Sequence, residues 1–125
     1  MKSVVEDIKK GSFKPVYLFY GEEAYLKQQY KNRLKDAVLP EGDTINLSIY
    51  SGKGIDVEEM IAQADTMPFF AEHRLLLIED SGFFKNANQQ LADYIPSIPE
   101  GTIMLFVESE VDKRGKLYKA VNKKG

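Results

Sequence analysis

RLLLIED, residues 74–80, is a run of apolar side chains that ends in two acids. Two other stretches have the same character, VYLFY (16–20) and TIMLFVE (102–108). A strand that is apolar throughout is buried on both faces, which is typical of a parallel sheet with helices above and below it. A fourth stretch, INLSIY (45–50), alternates in strand fashion and stops at SGKG.

Segments with helical periodicity lie between these strands. The most regular, EEAYLKQQYKNRLKDAVL, has an apolar residue at every fourth position from Leu26 to Val38. Shorter helices are predicted at the N-terminus, after the cap Asp56, over NANQQLADYI and at the C-terminus. Because strands and helices alternate, the sequence predicts an α/β fold with a mostly parallel sheet flanked by helices.

Length and composition are those of one ordinary domain, which we assign to residues 1–125. With 17 basic and 19 acidic residues the net charge is -2, which argues against nucleic-acid binding over the whole surface but not against a local basic patch. The chain has no cysteine, so disulfides, zinc knuckles and thiol chemistry are excluded. Without a signal peptide or a run of about 20 apolar residues, we expect a cytoplasmic protein with no membrane partner.

The C-terminal stretch DKRGKLYKAVNKKG predicts a helix whose pattern stops with the chain. A domain rarely ends on an unanchored helix directly after a strand, so we expect the chain to be the front piece of a longer protein. The lysines of this stretch fit a solvated helix face, and a DNA-facing patch is the alternative.

The junction after the first strand, YGEEAYL, lacks the features of a phosphate-binding loop. Such a loop needs several glycines and a lysine followed by serine or threonine. Here one glycine precedes Glu22 and Glu23, which occupy the positive end of the helix dipole and would repel a triphosphate. We therefore predict no nucleotide cofactor, no catalytic residue and no metal site.

Acidic residues follow the third and fourth strands, at the edge where an open parallel sheet binds ligands. Glu79 and Asp80 have the shape of a magnesium-binding motif, but we favour a role in capping the following turn. Glu108, Glu110 and Asp112 could suggest a metal, and we favour a solvated loop.

Two adjacent phenylalanines, Phe69 and Phe70, lie in TMPFFAEHR between the third helix and the third strand. Connecting segments are usually polar and lie on the surface. The pair is therefore either part of the core at an element boundary or a wedge presented to another molecule. One ring could also pack inward while the other is presented.

Three stretches in register resemble the N-terminal domain of the delta-subunit family of bacterial DNA polymerase III. They are KPVYLFYGEEAYLKQQYKNRL, TMPFFAEHRLLLIEDSGFF and LADYIPSIPEGTIMLFVESEVDKRGKLYKAVNKKG. The resemblance implies an AAA+ or P-loop NTPase-like core that lacks a functional phosphate loop, with strand order 5-1-4-3-2. It also implies a helical lid and a collar domain that are missing here, so we expect a truncated fragment with strand 1 at an exposed edge.

The resemblance further implies a function. Family members belong to the clamp loader and open the sliding clamp with a pair of large apolar residues before the third strand. The matching positions are Phe69 and Phe70, with Met67 and Pro68 as flanking contacts. The family pair is often an aliphatic residue followed by Phe, so Phe-Phe leaves the fit to the clamp pocket open.

The implied partners are the sliding clamp (beta), other clamp-loader subunits mainly through the missing C-terminal region, and DNA indirectly or weakly. The family is part of the DNA polymerase III holoenzyme, a nucleotidyltransferase, but the resemblance implies no catalytic site in this domain.

A different class of protein shares this length and pattern. A receiver domain accepts a phosphoryl group on an aspartate, and Asp80 after the third strand fits that role. Such a domain also needs a hydroxyl residue ending the fourth strand and a lysine ending a fifth. Ser109 is displaced and no fifth strand is present, so the receiver domain is the alternative. An active AAA+ ATPase is a third interpretation, which nucleotide binding would decide.

Overall fold

A computed structural model of the chain describes residues 2–21, 24–39, 42–69, 71–85 and 88–124. Within these ranges strands and helices alternate along the chain, as the sequence predicts. The strands are β1 (Val16–Phe19), β2 (Leu47–Ser51), β3 (Arg74–Glu79) and β4 (Thr102–Val107). The helices are α1 (Lys2–Lys10), α2 (Ala24–Val38), α3 (Val57–Ala64), α4 (Gln89–Tyr94), which a 3-10 turn (Ile95–Ser97) extends, and α5 (Lys116–Lys124).

The four strands form one parallel sheet in the order β1-β4-β3-β2. The predicted fold class, a mostly parallel sheet flanked by helices, is confirmed. The order also agrees with the 1-4-3-2 part of the expected arrangement, and β1 is an outermost strand of the described sheet. β4 is buried at every position and β3 at all but its last, which explains their continuous apolar runs.

Each face of the sheet supports its own hydrophobic cluster. Leu76 and Ile78 of β3 face the side covered by α3, α4 and α5, where Leu91 and Leu117 are buried. Leu75 and Leu77 face the opposite side, which α1 and α2 cover. None of the described helices is both long and apolar enough to cross a lipid bilayer.

β2 begins two residues later than the alternating pattern INLSIY suggests. Asp43 causes this delay, because its Oδ1 accepts hydrogen bonds from the backbone N–H groups of Ile45 (3.0 Å) and Asn46 (3.1 Å). This turn, formed by an aspartate side chain, occupies donors that a longer strand would use. It places Asn46 directly before β2, at the amino-terminal edge of the sheet.

Candidate functional site

Residues 65–69 are the first part of the connection between α3 and β3, which runs to residue 73 and lies at the amino-terminal edge of the sheet. We call this stretch the wedge segment. Parallel sheets bind small ligands at their carboxyl edge. The wedge segment lies at the opposite edge, so it is not part of any site of that kind.

Side chains from the sheet and from α4 hold the start of the wedge segment. Arg74 is 6% exposed, and its Nε donates to the carbonyl of Thr66 at 3.0 Å. The buried hydroxyl of Thr102 donates to the carbonyl of Ala64 at 2.8 Å. The hydroxyl of Tyr94 donates to Asp65 Oδ1 at 2.6 Å, and partial burial together with this bond raises the pKa of Tyr94. The end of α3 is thus anchored by directional bonds.

Pro68 lies against Gly101, the residue that precedes β4. Gly101 has φ +91, and an added Cβ there would lie 3.3 Å from the carbonyl oxygen of Glu72 and 3.5 Å from Cγ of Pro68. The position therefore needs glycine both for its backbone conformation and for the close approach. Pro68 is half-buried as a result, which fixes the middle of the wedge segment.

Asn46 binds the main chain of Phe69 in both directions. Its Oδ1 accepts from Phe69 N at 2.7 Å, and its Nδ2 donates to Phe69 O at 3.0 Å. The same Nδ2 donates to Asp43 Oδ2 at 2.9 Å, and this hydrogen bond is the main cause that lowers the pKa of Asp43. Asn46 is 1% exposed, so water has little access to these bonds.

The side chains of Met67 and Phe69 remain accessible on this anchored backbone. Met67 is 82% exposed and Phe69 is 55% exposed. Phe69 is therefore not a core residue, and the core interpretation is wrong for it. Phe70, the second member of the predicted pair, lies outside the described residues.

Two further apolar side chains near this edge were missed from the sequence. Ile45 is 63% exposed and directly precedes Asn46, and Ile49 on the outermost strand β2 is 62% exposed. The alternation of INLSIY puts both on one face with Leu47, which is a signal that could have singled them out. Asn46 was also missed, since nothing in its local sequence marks it.

At the carboxyl edge, the prediction of a solvated loop is wrong for Glu108, while Glu110 is exposed as predicted. Glu108 is 1% exposed. Its carboxylate accepts from Ser81 N (3.0 Å), Ser81 Oγ (2.8 Å) and Gly82 N (3.0 Å). Burial raises its pKa, and these hydrogen bonds oppose that effect. The carboxylate thus organises the turn after β3.

The sequence suggested that Glu79 and Asp80 cap that turn, but they do not. Glu79 pairs with Lys31 of α2 at 3.3 Å, and Asp80 has φ 51 and accepts from Ser109 Oγ at 3.4 Å. Lys27 of α2 is 8% exposed and donates to the carbonyl of Glu108 at 3.2 Å. In the part of the chain that the structure describes, no group of three histidine or acidic side chains could hold a metal ion.

Comparison with known proteins is consistent with this geometry. The family model for the delta subunit of DNA polymerase III matches residues 17–125. The DNA polymerase III subunit delta of Bacillus subtilis (strain 168) is 31% identical over 132 residues, which cover 96% of this chain and 38% of that protein. These matches do not favour a receiver domain.

Two solved structures extend the comparison. The Bacillus subtilis DNA clamp loader delta protein superposes with a TM-score of 0.86 at 30% identity, covering 99% of this chain and 40% of that one. A DNA polymerase III gamma subunit-related protein from Thermotoga maritima has a TM-score of 0.68 at 12% identity, covering 97% and 43%, and shows the fold alone. The chain therefore spans about two fifths of the length of these proteins.

Proposed function

Since the chain belongs to the DNA polymerase III delta subunit family, we propose that it binds the sliding clamp, beta, and opens it during DNA replication. The observation that carries the proposal is that Phe69 has a fixed backbone and an exposed ring. Its backbone is held on both sides by the buried Asn46, while its ring is 55% exposed. An apolar side chain on a rigid base is what an interface anchor requires.

The energy available from this segment is sufficient for an anchor. One aromatic side chain buries roughly 150–250 Å² in an interface. At about 25 cal/mol per Å², two such rings at Phe69 and Phe70 give several kcal/mol of gross burial. The backbone of Phe69 is already ordered, so less conformational entropy is lost on binding. Met67 adds a flexible side chain that adapts to an irregular pocket.

Opening of the ring follows from differential affinity. A subunit that binds the open or strained clamp better than the closed one shifts the equilibrium toward opening by that difference. No hydrolysis by this domain is required. Neighbouring ATPase subunits would determine when the wedge segment is exposed.

The other partners follow from the same role. Other clamp-loader subunits would bind mainly through the regions that the relatives have beyond the matched length. DNA would be contacted indirectly or weakly, and the protein would act in the cytoplasm as part of the DNA polymerase III holoenzyme.

The test is a binding titration between this chain and the sliding clamp of the same organism. Phe69→Ala combined with Phe70→Ala should abolish binding while the circular dichroism spectrum and thermal midpoint stay close to those of the unsubstituted chain. Tyr25→Ala is the matched control, because Tyr25 is an aromatic residue that is 78% exposed on α2. Unchanged binding by the double variant would refute the proposal.

A single variant keeps the test decisive if the double variant unfolds. Unfolding would mean that the pair contributes to the stability of the fold. Phe69→Ser then tests the wedge by itself. If it stays folded and binds the clamp as tightly as the unsubstituted chain does, the proposal is wrong.

A further inference from the structure

We propose that Asn46 is the positioning residue for Phe69, holding the backbone from which the clamp-contacting ring projects. This inference rests on the function proposed above, because it assigns a purpose to the position of that ring. Its geometric part concerns this chain alone and can be tested without the clamp.

The first step is the bidentate contact. Asn46 Oδ1 and Nδ2 bind Phe69 N and O at 2.7 Å and 3.0 Å, and 23 residues separate the two positions. A single bond would leave the segment free to rotate about it. Two bonds on the same residue fix the direction of its backbone, as a strand neighbour does in a sheet.

The second step is the orientation of the amide. The carboxylate of Asp43 can only accept a hydrogen bond, and it lies 2.9 Å from Asn46 Nδ2. This contact assigns Nδ2 to the side that also faces Phe69 O. It leaves Oδ1 for Phe69 N, so the donor and acceptor of the amide match those of the backbone.

The third step is the connection to the sheet. The carbonyl of Asn46 accepts from Leu75 N of β3 at 2.8 Å, and β2 starts at the next residue. Leu75 is fully buried in a central strand. Asn46 therefore links the backbone of Phe69 to a buried central strand of the sheet.

Asparagine is the residue type that this position needs. Aspartate lacks the donor for Phe69 O and would place a second carboxylate beside Asp43. Alanine would leave both backbone groups of Phe69 without this partner at a site from which water is largely excluded. Asn46→Ala and Asn46→Asp should both release the wedge segment.

The clamp-free experiment is amide hydrogen exchange of this chain, resolved by residue. Asn46→Ala and Asn46→Asp should each raise the exchange rate of the Phe69 amide by about tenfold or more, because loss of a buried bond shifts local opening by that order. The exchange rate of the Leu76 amide in β3 should change only as much as the global stability of the variant does. Asn88→Ala is the matched control, since Asn88 makes its side-chain bond at the start of α4, accepting from Leu91 N at 2.9 Å, rather than to Phe69.

The second experiment is a double-mutant cycle on clamp affinity. Asn46→Ala should weaken binding about tenfold when Phe69 is present and should have no further effect in a Phe69→Ala background. Substitution of a residue that only supports folding would weaken clamp binding equally in both backgrounds. Asn88→Ala should leave affinity unchanged in either background.

The outcomes separate the two ideas. An unchanged exchange rate of the Phe69 amide in both Asn46 variants overturns the positioning role, whatever the clamp data show. Equal losses in the two backgrounds overturn it as well. If Phe69→Ala alone leaves clamp affinity unchanged, the proposed function fails, and a faster-exchanging Phe69 amide would still support the contact. If neither Asn46 variant folds, Asp43→Asn takes their place under the same criteria, because it puts an NH2 donor opposite Asn46 Nδ2 where the carboxylate oxygen Oδ2 now accepts.

Discussion

Lys27 Nζ donates a hydrogen bond to the backbone carbonyl of Glu108 at 3.2 Å, and both residues are buried. Lys27 lies on α2, the helix that follows β1, and Glu108 follows β4, the neighbour of β1 in the sheet. The Glu108 N–H donates to the carbonyl of Phe19 at the end of β1. The junction at which nucleotide-binding domains with parallel sheets hold phosphate is therefore occupied here by hydrogen bonds among the protein's own groups.

The first prediction is that the chain does not bind ATP. In the sequence, Glu22 and Glu23 replace the glycines of a phosphate loop, and the ammonium of Lys27 on the following helix already donates to the carbonyl of Glu108. Isothermal calorimetry with ATP and magnesium should show no binding heat up to millimolar nucleotide. Binding in the micromolar range would contradict this interpretation and restore the active-ATPase alternative.

The second prediction concerns pH and Glu108. Burial raises the pKa of Glu108 above its ordinary value of 4.5, so the folded state binds its proton more tightly than the unfolded state does. The stabilisation linked to this group is complete below pH 4.5 and is lost as pH rises through the higher folded pKa. The unfolding free energy of the unsubstituted chain minus that of Glu108→Gln should therefore fall with rising pH above 4.5.

Urea unfolding at several pH values between acid and neutral conditions measures this difference. Glu110→Gln is the control of opposite sign, because Glu110 is exposed and its hydrogen bond with Lys85 at 2.8 Å lowers the pKa of Glu110. A difference for Glu108→Gln that rises with pH would show that hydrogen bonds from Ser81 and Gly82 outweigh burial and lower the folded pKa.

The sequence predicted the fold well because local patterns determine it. The unbroken apolar runs of β3 and β4 could only belong to strands covered on both faces, and Asp56 does cap α3 by accepting from Glu59 N. The same reasoning failed for Glu108, because its partners Ser81 and Gly82 lie on a different loop. Local polarity does not show which loops meet in the folded chain.

The candidate site was predicted only in part, because the sequence does not show which distant segments meet in the folded chain. The backbone of Phe69 is hydrogen-bonded to Asn46, which is 23 positions away in the sequence, and no periodicity connects the two. The resemblance to a family selected the segment. The contacts with Asn46, Arg74 and Gly101 that hold it needed the structure.

The third prediction ranks the exposed residues of the wedge segment. Phe69→Ala should reduce the clamp binding free energy by about 2 kcal/mol or more, the range of an interface hot spot. Met67→Ala should cost less, about 1 kcal/mol, because Met67 is 82% exposed and its flexible side chain loses entropy on binding. Surface plasmon resonance with immobilised clamp measures both, and a larger loss for Met67→Ala would reverse the assignment of the anchor.

The fourth prediction separates backbone strain from contact at Gly101. Gly101→Ala should lower the unfolding free energy by about 1–3 kcal/mol, because alanine disfavours a positive φ and its Cβ would lie only 3.3 Å from Glu72 O, next to Pro68. It should also weaken clamp binding, since Pro68 supports the segment that carries Phe69. Gly54→Ala is the matched control, because Gly54 has φ +88 and nothing within 4 Å of an added Cβ.

Chemical denaturation measures the stability of the two glycine variants, and titration with the clamp measures their affinity. Both should lose stability through the shared backbone strain, and only Gly101→Ala should lose clamp affinity under conditions in which both variants are fully folded. Equal affinity for the two variants would mean that the packing of Pro68 on Gly101 does not control the wedge segment. A loss confined to Gly101→Ala would connect the clamp-binding ring to the loop before β4 through a contact that involves no side chain of the anchor itself.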